Sequence, residues 1–417
     1  MTTNDFHVKI NKTSLKMERN NMFLNFKIKN YRSIGREVIV DFTISESQRK
    51  NAYSEIGGKA INNIACIVGP NASGKSNILK AIVFFLRYLY RSYSVPSLRG
   101  EENVDTHFCC KNEPTEFSTE FIDNEKQYKY EIALLKGEVH KEVLSVIKED
   151  TKRYNLIFKR ELNKPIQNTI TINEQDLERL RNDMSLLSLL LELNYFGKDE
   201  FSTLRKFLTN VHPGFVVSRY NPLQELSEIS KELEKDKLLF DELIEELKNI
   251  DTGISGLKFG TLQKANPDLT GESEYSTIIT THTIDGHLHP LLLLQESSGT
   301  LNYINLFIRL YKIFRDGGLL IADELEDSLH PDITNRIINR FLNKEKNPND
   351  SQILFTTHNP WFLQNLTKTQ IFIAEKDSKS ETELTRLDEI QGVRNDENYF
   401  IKYLAGEYDG RPKIKES

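Results

Sequence analysis

Eight consecutive residues, Gly69-Pro-Asn-Ala-Ser-Gly74-Lys75-Ser76, restrict this chain more than any other part of it. They complete a phosphate-binding loop of the form G-x-x-x-x-G-K-S. The apolar run Ile64-Ala65-Cys66-Ile67-Val68 stops just short of it, and Ile78-Leu79-Lys80-Ala81-Ile82 follows. Strand, glycine loop and helix in that order are the context in which the pattern has a mechanism. The glycines let backbone N–H groups converge on phosphate oxygens with no Cβ in the way. The helix N-terminus adds partial positive charge. Gly69, Pro70, Asn71, Ala72, Ser73, Gly74, Lys75, Ser76 and Asn77 are therefore expected to hold a nucleoside triphosphate. Lys75 supplies a point charge for the β- and γ-phosphates, and Ser76 a hydroxyl for Mg²⁺. A chance glycine-rich turn would lack the flanking strand and helix.

The second half of the chain supplies what a triphosphate site needs for chemistry. Gly317-Gly-Leu-Leu-Ile-Ala-Asp323-Glu324 is an apolar run that ends in two carboxylates. A buried strand ending in Asp323 puts that group where it can hold Mg²⁺. Glu324, one residue on, is expected to orient and deprotonate an attacking water. A further strand, Gln352-Ile-Leu-Phe-Thr-Thr-His358, ends in a histidine able to hydrogen-bond a γ-phosphate oxygen. Gln295-Glu296-Ser297-Ser298-Gly299-Thr300 opens a helix from Leu301 to Phe314 and makes a second anion-binding end. One triphosphate does not need two such ends. The surplus points to a nucleotide held by another copy of the chain.

The rest of the chain reads as two strand-rich blocks around a helical stretch. Residues 1–21 are polar and loose, with no signal-peptide core. Residues 22–172 alternate as strands around the phosphate loop, through Phe26 and Ile28, Val38 to Phe42, and Phe117 to Ile132. Residues 173–256 are helical and leucine-rich, and residues 257–417 return to strands and alternating helices. Leu226, Leu233, Phe240 and Leu247 recur every seven residues, but Asp236 and Lys237 break the seam, so a helix packed on its own domain is expected rather than a coiled coil. The expected architecture is α/β, a parallel sheet flanked by helices and joined to an antiparallel lobe from 22–42 and 115–150. The net charge of −6 counts against a uniformly basic nucleic-acid coat, although a basic strip at 148–164 keeps local nucleic-acid contact open. Three cysteines without regular spacing fit a reducing cytoplasm, and no apolar run is long enough to span a membrane. His107, Cys109 and Cys110 lack zinc-ligand spacing, and Asp388, Glu389, Asp396 and Glu397 read as a solvated face.

Taken together, these motifs resemble the ABC-type ATPases of the SMC, RecF and OLD branch. Gly69 to Ser76 resemble Walker A, Ser297 to Thr300 the signature loop, and Leu319 to Glu324 Walker B with its catalytic glutamate. Asp327 to His330 resemble the D-loop and His358 the switch histidine. Ile28-Lys-Asn-Tyr-Arg-Ser-Ile34 is also typical of the branch. Tyr403-Leu-Ala-Gly-Glu-Tyr408 with Pro412 resembles stand-alone ATPases of phage-defence operons, the RloA-like, AbiL-like and PARIS AriA-like proteins. The resemblance implies ATP and Mg²⁺ as cofactors. It also implies a homodimer or higher homo-oligomer with each ATP sandwiched between Walker A of one chain and Ser298 and Gly299 of the other. By the same likeness Arg32 lies near the nucleotide. No Q-loop glutamine stands at the expected strand end, and Gln127 falls in a hairpin.

Three functions compete on these grounds. The first is an ATP-hydrolysing switch in antiviral defence that controls a separately encoded effector, since no Toprim-like nuclease module is expected in the sixty or so residues after His358. The second is a RecF-like repair ATPase that binds DNA directly. The third is a non-catalytic nucleotide-gated scaffold, against which Glu324 speaks.

Overall fold

The strands that carry the motifs are buried along their whole length and so require cover on both faces. In the computed structural model they lie side by side. The structure describes residues 21–51, 53–100, 104–123, 126–147, 153–195, 208, 211–213, 222–250, 252–264, 273–327, 329–408 and 410. Val211–Pro213, Leu319–Ala322, Gln352–Thr357, Ile64–Val68, Ile371–Lys376 and Thr382–Arg386 form one six-stranded sheet in that spatial order. All neighbours are parallel except the last pair, an antiparallel hairpin. The phosphate loop, Asp323 and His358 each follow the carboxyl end of a parallel strand, the edge at which open α/β sheets bind ligands.

The helix Lys75–Arg91 is buried on nearly every face, from Ile78 to Leu89, because it has layers on both sides. It packs on Leu319–Ala322 and Gln352–Thr357 and also touches the strand Met22–Lys29. That strand belongs to a seven-stranded antiparallel sheet ordered Gln167–Asn168, Tyr154–Glu161, Glu138–Ile147, Lys126–Leu135, Thr115–Asp123, Met22–Lys29, Val38–Asp41. Phe85 of the helix stacks on Phe117 of this sheet, with ring centroids 5.3 Å apart. The α/β class, the parallel core and the antiparallel lobe are as the sequence led us to expect.

The boundaries of the helical stretch differ from the expected ones. The described residues divide into two compact units, one drawn from 17–216, 316–326 and 334–417, the other from 217–315 and 327–333. The leucine-rich helix Leu186–Glu192, expected in a separate insertion, packs on Lys75–Arg91 in the first unit. Its leucines are apolar all round and need burial on all sides. Buried Glu142 accepts from Leu186 N and Leu187 N at 2.8 and 3.0 Å, a carboxylate at the helix N-terminus. Val211–Pro213 becomes an edge strand of the central sheet.

In the other unit the helices Pro222–Lys235 and Lys237–Asn249 share a core with a three-stranded meander, Ile254–Lys264, Ser273–Ile284 and His287–Leu292, and with the helix Ser298–Asp316. Leu233, Leu239, Leu243 and Leu247 are buried there. The heptad breaks where Asp236 caps the second helix, accepting from Leu239 N at 3.0 Å. The helices therefore take the strand face of Ile254, Leu257 and Ile278 as their partner. Residues 1–20, Asn124 and Glu125, Lys152, Asn221, the 266–268 loop, Ser328 and Pro412 lie outside the described residues. No helix among those described is long and apolar enough to cross a membrane.

Candidate nucleotide site

Gly74 ends the loop at φ 104°, a left-handed conformation, and a Cβ there would collide with Thr382 Oγ1. At Gly69 a Cβ would collide with the carbonyl of Ala374. Both glycines are thus required by the strands Ile371–Lys376 and Thr382–Arg386 pressing on the loop, as well as by any phosphate. Lys75 is buried and donates from Nζ to the carbonyls of Gly69 and Pro70 at 2.9 and 3.0 Å. Burial pushes its pKa down, opposed by the charges of Asp323, Glu324 and Glu326.

The helix Lys75–Arg91 begins without a side-chain cap and with no acidic residue in its first turn. Its N-terminal charge is therefore not compensated locally. Buried Ser73 Oγ has no hydrogen-bond partner among the described residues. A cavity of about 470 Å³ opens over this loop, with Asn71 to Asn77, Ser33 and Lys376 in its lining. Glu324 and His358 line the same cavity. An open helix N-terminus, two lysines and an orphaned hydroxyl fit the phosphates of a nucleotide. Ser76 and Asp323 are hard oxygen donors of the kind Mg²⁺ takes.

The carboxylate turn is built by the next strand. Thr356 Oγ1 donates to Asp323 Oδ1 at 2.6 Å and accepts from Glu324 N at 2.8 Å. Glu324 sits at φ 49°, rare for a residue with a side chain. Its Oε1 lies 3.2 Å from His358 Nε2, and both side chains are partly open to solvent. Glu326 Oε1 then accepts from Thr357 Oγ1, His358 N and Asn359 N at 2.8, 2.7 and 3.2 Å. One carboxylate thus ties the turn that presents Glu324 to the backbone that presents His358.

The structure brings together Gly69 to Asn77, Asp323, Glu324 and His358, all expected from the sequence. Arg32 does not line the cavity. Its guanidinium is held by Asp105 Oδ2, 2.8 Å from Nε and 2.5 Å from Nη2, and the adjacent Ser33 lines the cavity instead. Ser298 and Gly299 open the 19-residue helix Ser298–Asp316 in the other unit, where Ser297 Oγ accepts from Thr300 N at 3.1 Å. Asp327, Leu329 and His330 fall in that unit too.

Sequence reasoning missed Thr356, Glu326, Thr382 and Lys376. Two charged groups are tied into the fold in ways the sequence does not announce. In the basic strip, Lys159 and Lys164 both pair with Glu161 at 2.7 and 2.5 Å, and Arg160 is buried against the carbonyls of Met184 and Arg181. In the acidic stretch, Asp388 pairs with Arg386 at 2.6 Å and Glu397 accepts from Tyr408, so neither is simply solvated. His107 is buried, with Nδ1 accepting from Cys109 N at 3.4 Å.

A family model described as "AAA domain, putative AbiEii toxin, Type IV TA system" matches residues 64–363. No curated protein matches the chain. Among solved structures, the chain is similar to the SMC head domain from Thermotoga maritima, at a TM-score of 0.38 and 14% identity over 87% of this chain and 98% of that one. It is also similar to a Pyrococcus furiosus Smc head domain with an extended coiled coil bound to the C-terminal domain of ScpA, at a TM-score of 0.41 and 14% identity over 88% and 97%. An SmcHead bound to the C-winged helix domain of ScpA aligns at 0.40 and 15% over 87% and 96%.

Proposed function

The chain belongs to the AAA-domain family matched over residues 64–363, and from that premise we propose that it is an ATP-hydrolysing switch in anti-phage defence. In this reading it closes into a homodimer or higher homo-oligomer around ATP and controls a separately encoded effector such as a nuclease or toxin. The observation that carries the catalytic part is the shared cavity, with Lys75 and Ser76 in its lining together with Glu324 and His358.

Phosphoryl transfer to water depends on positioning and charge stabilisation more than on covalent chemistry. Lys75, already drawn onto the loop by the Gly69 and Pro70 carbonyls, offers charge to the β- and γ-phosphates. Glu324 takes the proton of the attacking water, and His358 holds the glutamate in place through the 3.2 Å contact. Ser76 and Asp323 are the residues that would hold Mg²⁺. When bound, that ion neutralises charge developing on the phosphate oxygens.

The dimeric part is supported by the second helix N-terminus at Ser298 and Gly299, which has exposed serines and no assigned ligand of its own. The defence role is supported by the toxin and toxin–antitoxin description of the family. For direct DNA binding, the basic strip offers less than its sequence suggests at one position, since Arg160 is buried against the carbonyls of Met184 and Arg181, while Lys159 and Lys164 form surface pairs with Glu161.

The test is Mg²⁺-dependent ATP turnover by the purified chain, beside Glu324→Gln. We expect the variant to keep ATP binding, lose turnover by about 10² or more, and gain mass in light scattering when ATP is added. Persistent turnover in Glu324→Gln would remove Glu324 as the base. An unchanged mass with ATP bound would remove the sandwich.

A further inference from the structure

Lys376 is far from Lys75 in sequence yet lines the same cavity. It ends the strand Ile371–Lys376, which flanks the loop strand Ile64–Val68 on one side, while Gln352–Thr357, bonded to Asp323 and Glu324, flanks it on the other. An ammonium has three N–H donors. Two are taken, by Ser380 O at 2.9 Å and Thr382 Oγ1 at 3.1 Å, both neutral oxygens.

The turn that presents these oxygens is fixed from within. Asp377 Oδ1 accepts from Lys379 N and Glu381 N, each at 2.8 Å, and Ser380 turns through φ 63°. Burial pushes the Lys376 pKa down despite the nearby charges of Asp377 and Glu381. A partly desolvated cation with neutral partners and a donor to spare is poised for an anion.

We propose that Lys376 is a second nucleotide-binding cation, serving the α- and β-phosphates while Lys75 serves the β- and γ-phosphates. The assignment of sides follows a chain of hydroxyls. Thr382 Oγ1, which anchors Lys376, donates to Ser73 O at 3.0 Å. With that proton committed, Ser33 Oγ donates to Thr382 Oγ1 at 2.8 Å and accepts from Asn77 Nδ2 at 2.7 Å. Lys376 is thereby coupled to the loop backbone at Ser73 and to Asn77, the stretch whose N–H groups cradle the α- and β-phosphates in a loop of this type. Neither Glu324 nor His358 takes part in these bonds.

The inference rests on the ATP-binding reading, and its test separates the two. Isothermal titration of the full chain with ATP and with ADP is run for wild type, Lys376→Gln, Lys376→Arg and Lys75→Ala, with thermal unfolding of each in the absence of nucleotide. Lys376→Gln is expected to weaken ATP and ADP alike by about tenfold or more, Lys376→Arg to regain most of that, and the nucleotide-free melting of both to match wild type. Wild-type affinities in Lys376→Gln, or a loss confined to ATP, would overturn the proposal. If Lys376→Gln does not fold, Lys376→Met replaces it. Failure of both to fold would make Lys376 a staple of the hairpin and overturn the proposal too. If wild type binds neither nucleotide, it is the ATP reading that fails.

Discussion

Thr356→Val tests whether Glu324, the proposed base, is placed by a neighbouring strand. Thr356 is fully buried, and its hydroxyl makes both the 2.8 Å bond from Glu324 N and the 2.6 Å bond to Asp323 Oδ1. Valine copies the shape and deletes both. A neutral hydrogen bond is worth about 1 kcal/mol net and one to a charged group about 1.5–3 kcal/mol, so the substitution should cost about 2–4 kcal/mol of stability. The larger effect is on geometry. Left-handed backbone costs a residue with a side chain roughly 1–2 kcal/mol, and at φ 49° Glu324 is kept there in part by the bond that valine removes. Freed of it, the turn relaxes and Glu324 moves away from His358. A displacement near 1 Å costs about 10² in rate. Single-turnover hydrolysis should therefore slow about 100-fold, while ATP affinity by titration, set by an intact phosphate loop, stays near wild type. Thr356→Ser restores the hydroxyl and should restore most of the rate. Wild-type turnover in Thr356→Val would refute the reasoning.

Gly74→Ala should destabilise the chain by about 1–3 kcal/mol and abolish nucleotide binding, since its Cβ meets Thr382 Oγ1 and its φ is 104°; a normal melting curve with normal ATP affinity would contradict the packing described. A pH series checks the depressed pKa of Lys75. Burial lowers it below the ordinary 10.5, so between the lowered value and 10.5 the unfolded chain binds more protons. In that window Lys75 makes nucleotide-free stability rise with pH, while ATP affinity falls as the ammonium loses its charge. Titration from neutral pH upward should show affinity breaking below 10.5, and a break at or above 10.5 would count against a desolvated lysine.

The phosphate loop, Asp323, Glu324 and His358 were legible because each is a short pattern attached to an apolar run. A strand that is buried along its length announces its own end, and chemistry at that end inherits a predictable position. Thr356 and Glu326 carry no such signal. Their roles come from which strand lies beside which, and Leu319–Ala322 could have had another neighbour. Lys376 depends on the same accident of order, one strand over. Val211–Pro213 was missed because three residues have no periodicity to read. The Leu186–Leu191 run was read as helix correctly, but its place in the layered core follows only once Lys75–Arg91 is seen to need cover. The heptad of Leu226 to Leu247 pointed to burial, and Asp236 decided that it would be two short helices.

The contacts of Gly69 with Ala374 and of Gly74 with Thr382 bear on how this protein can be cut for experiments. A fragment ending soon after His358 would retain the phosphate loop, the carboxylate turn and the histidine, and would look complete by inspection. It would nonetheless lack one flank of the loop strand and the braces behind both glycines. Inactivity of such a truncation would say nothing about a regulatory tail. It would report a binding pocket missing one of its walls.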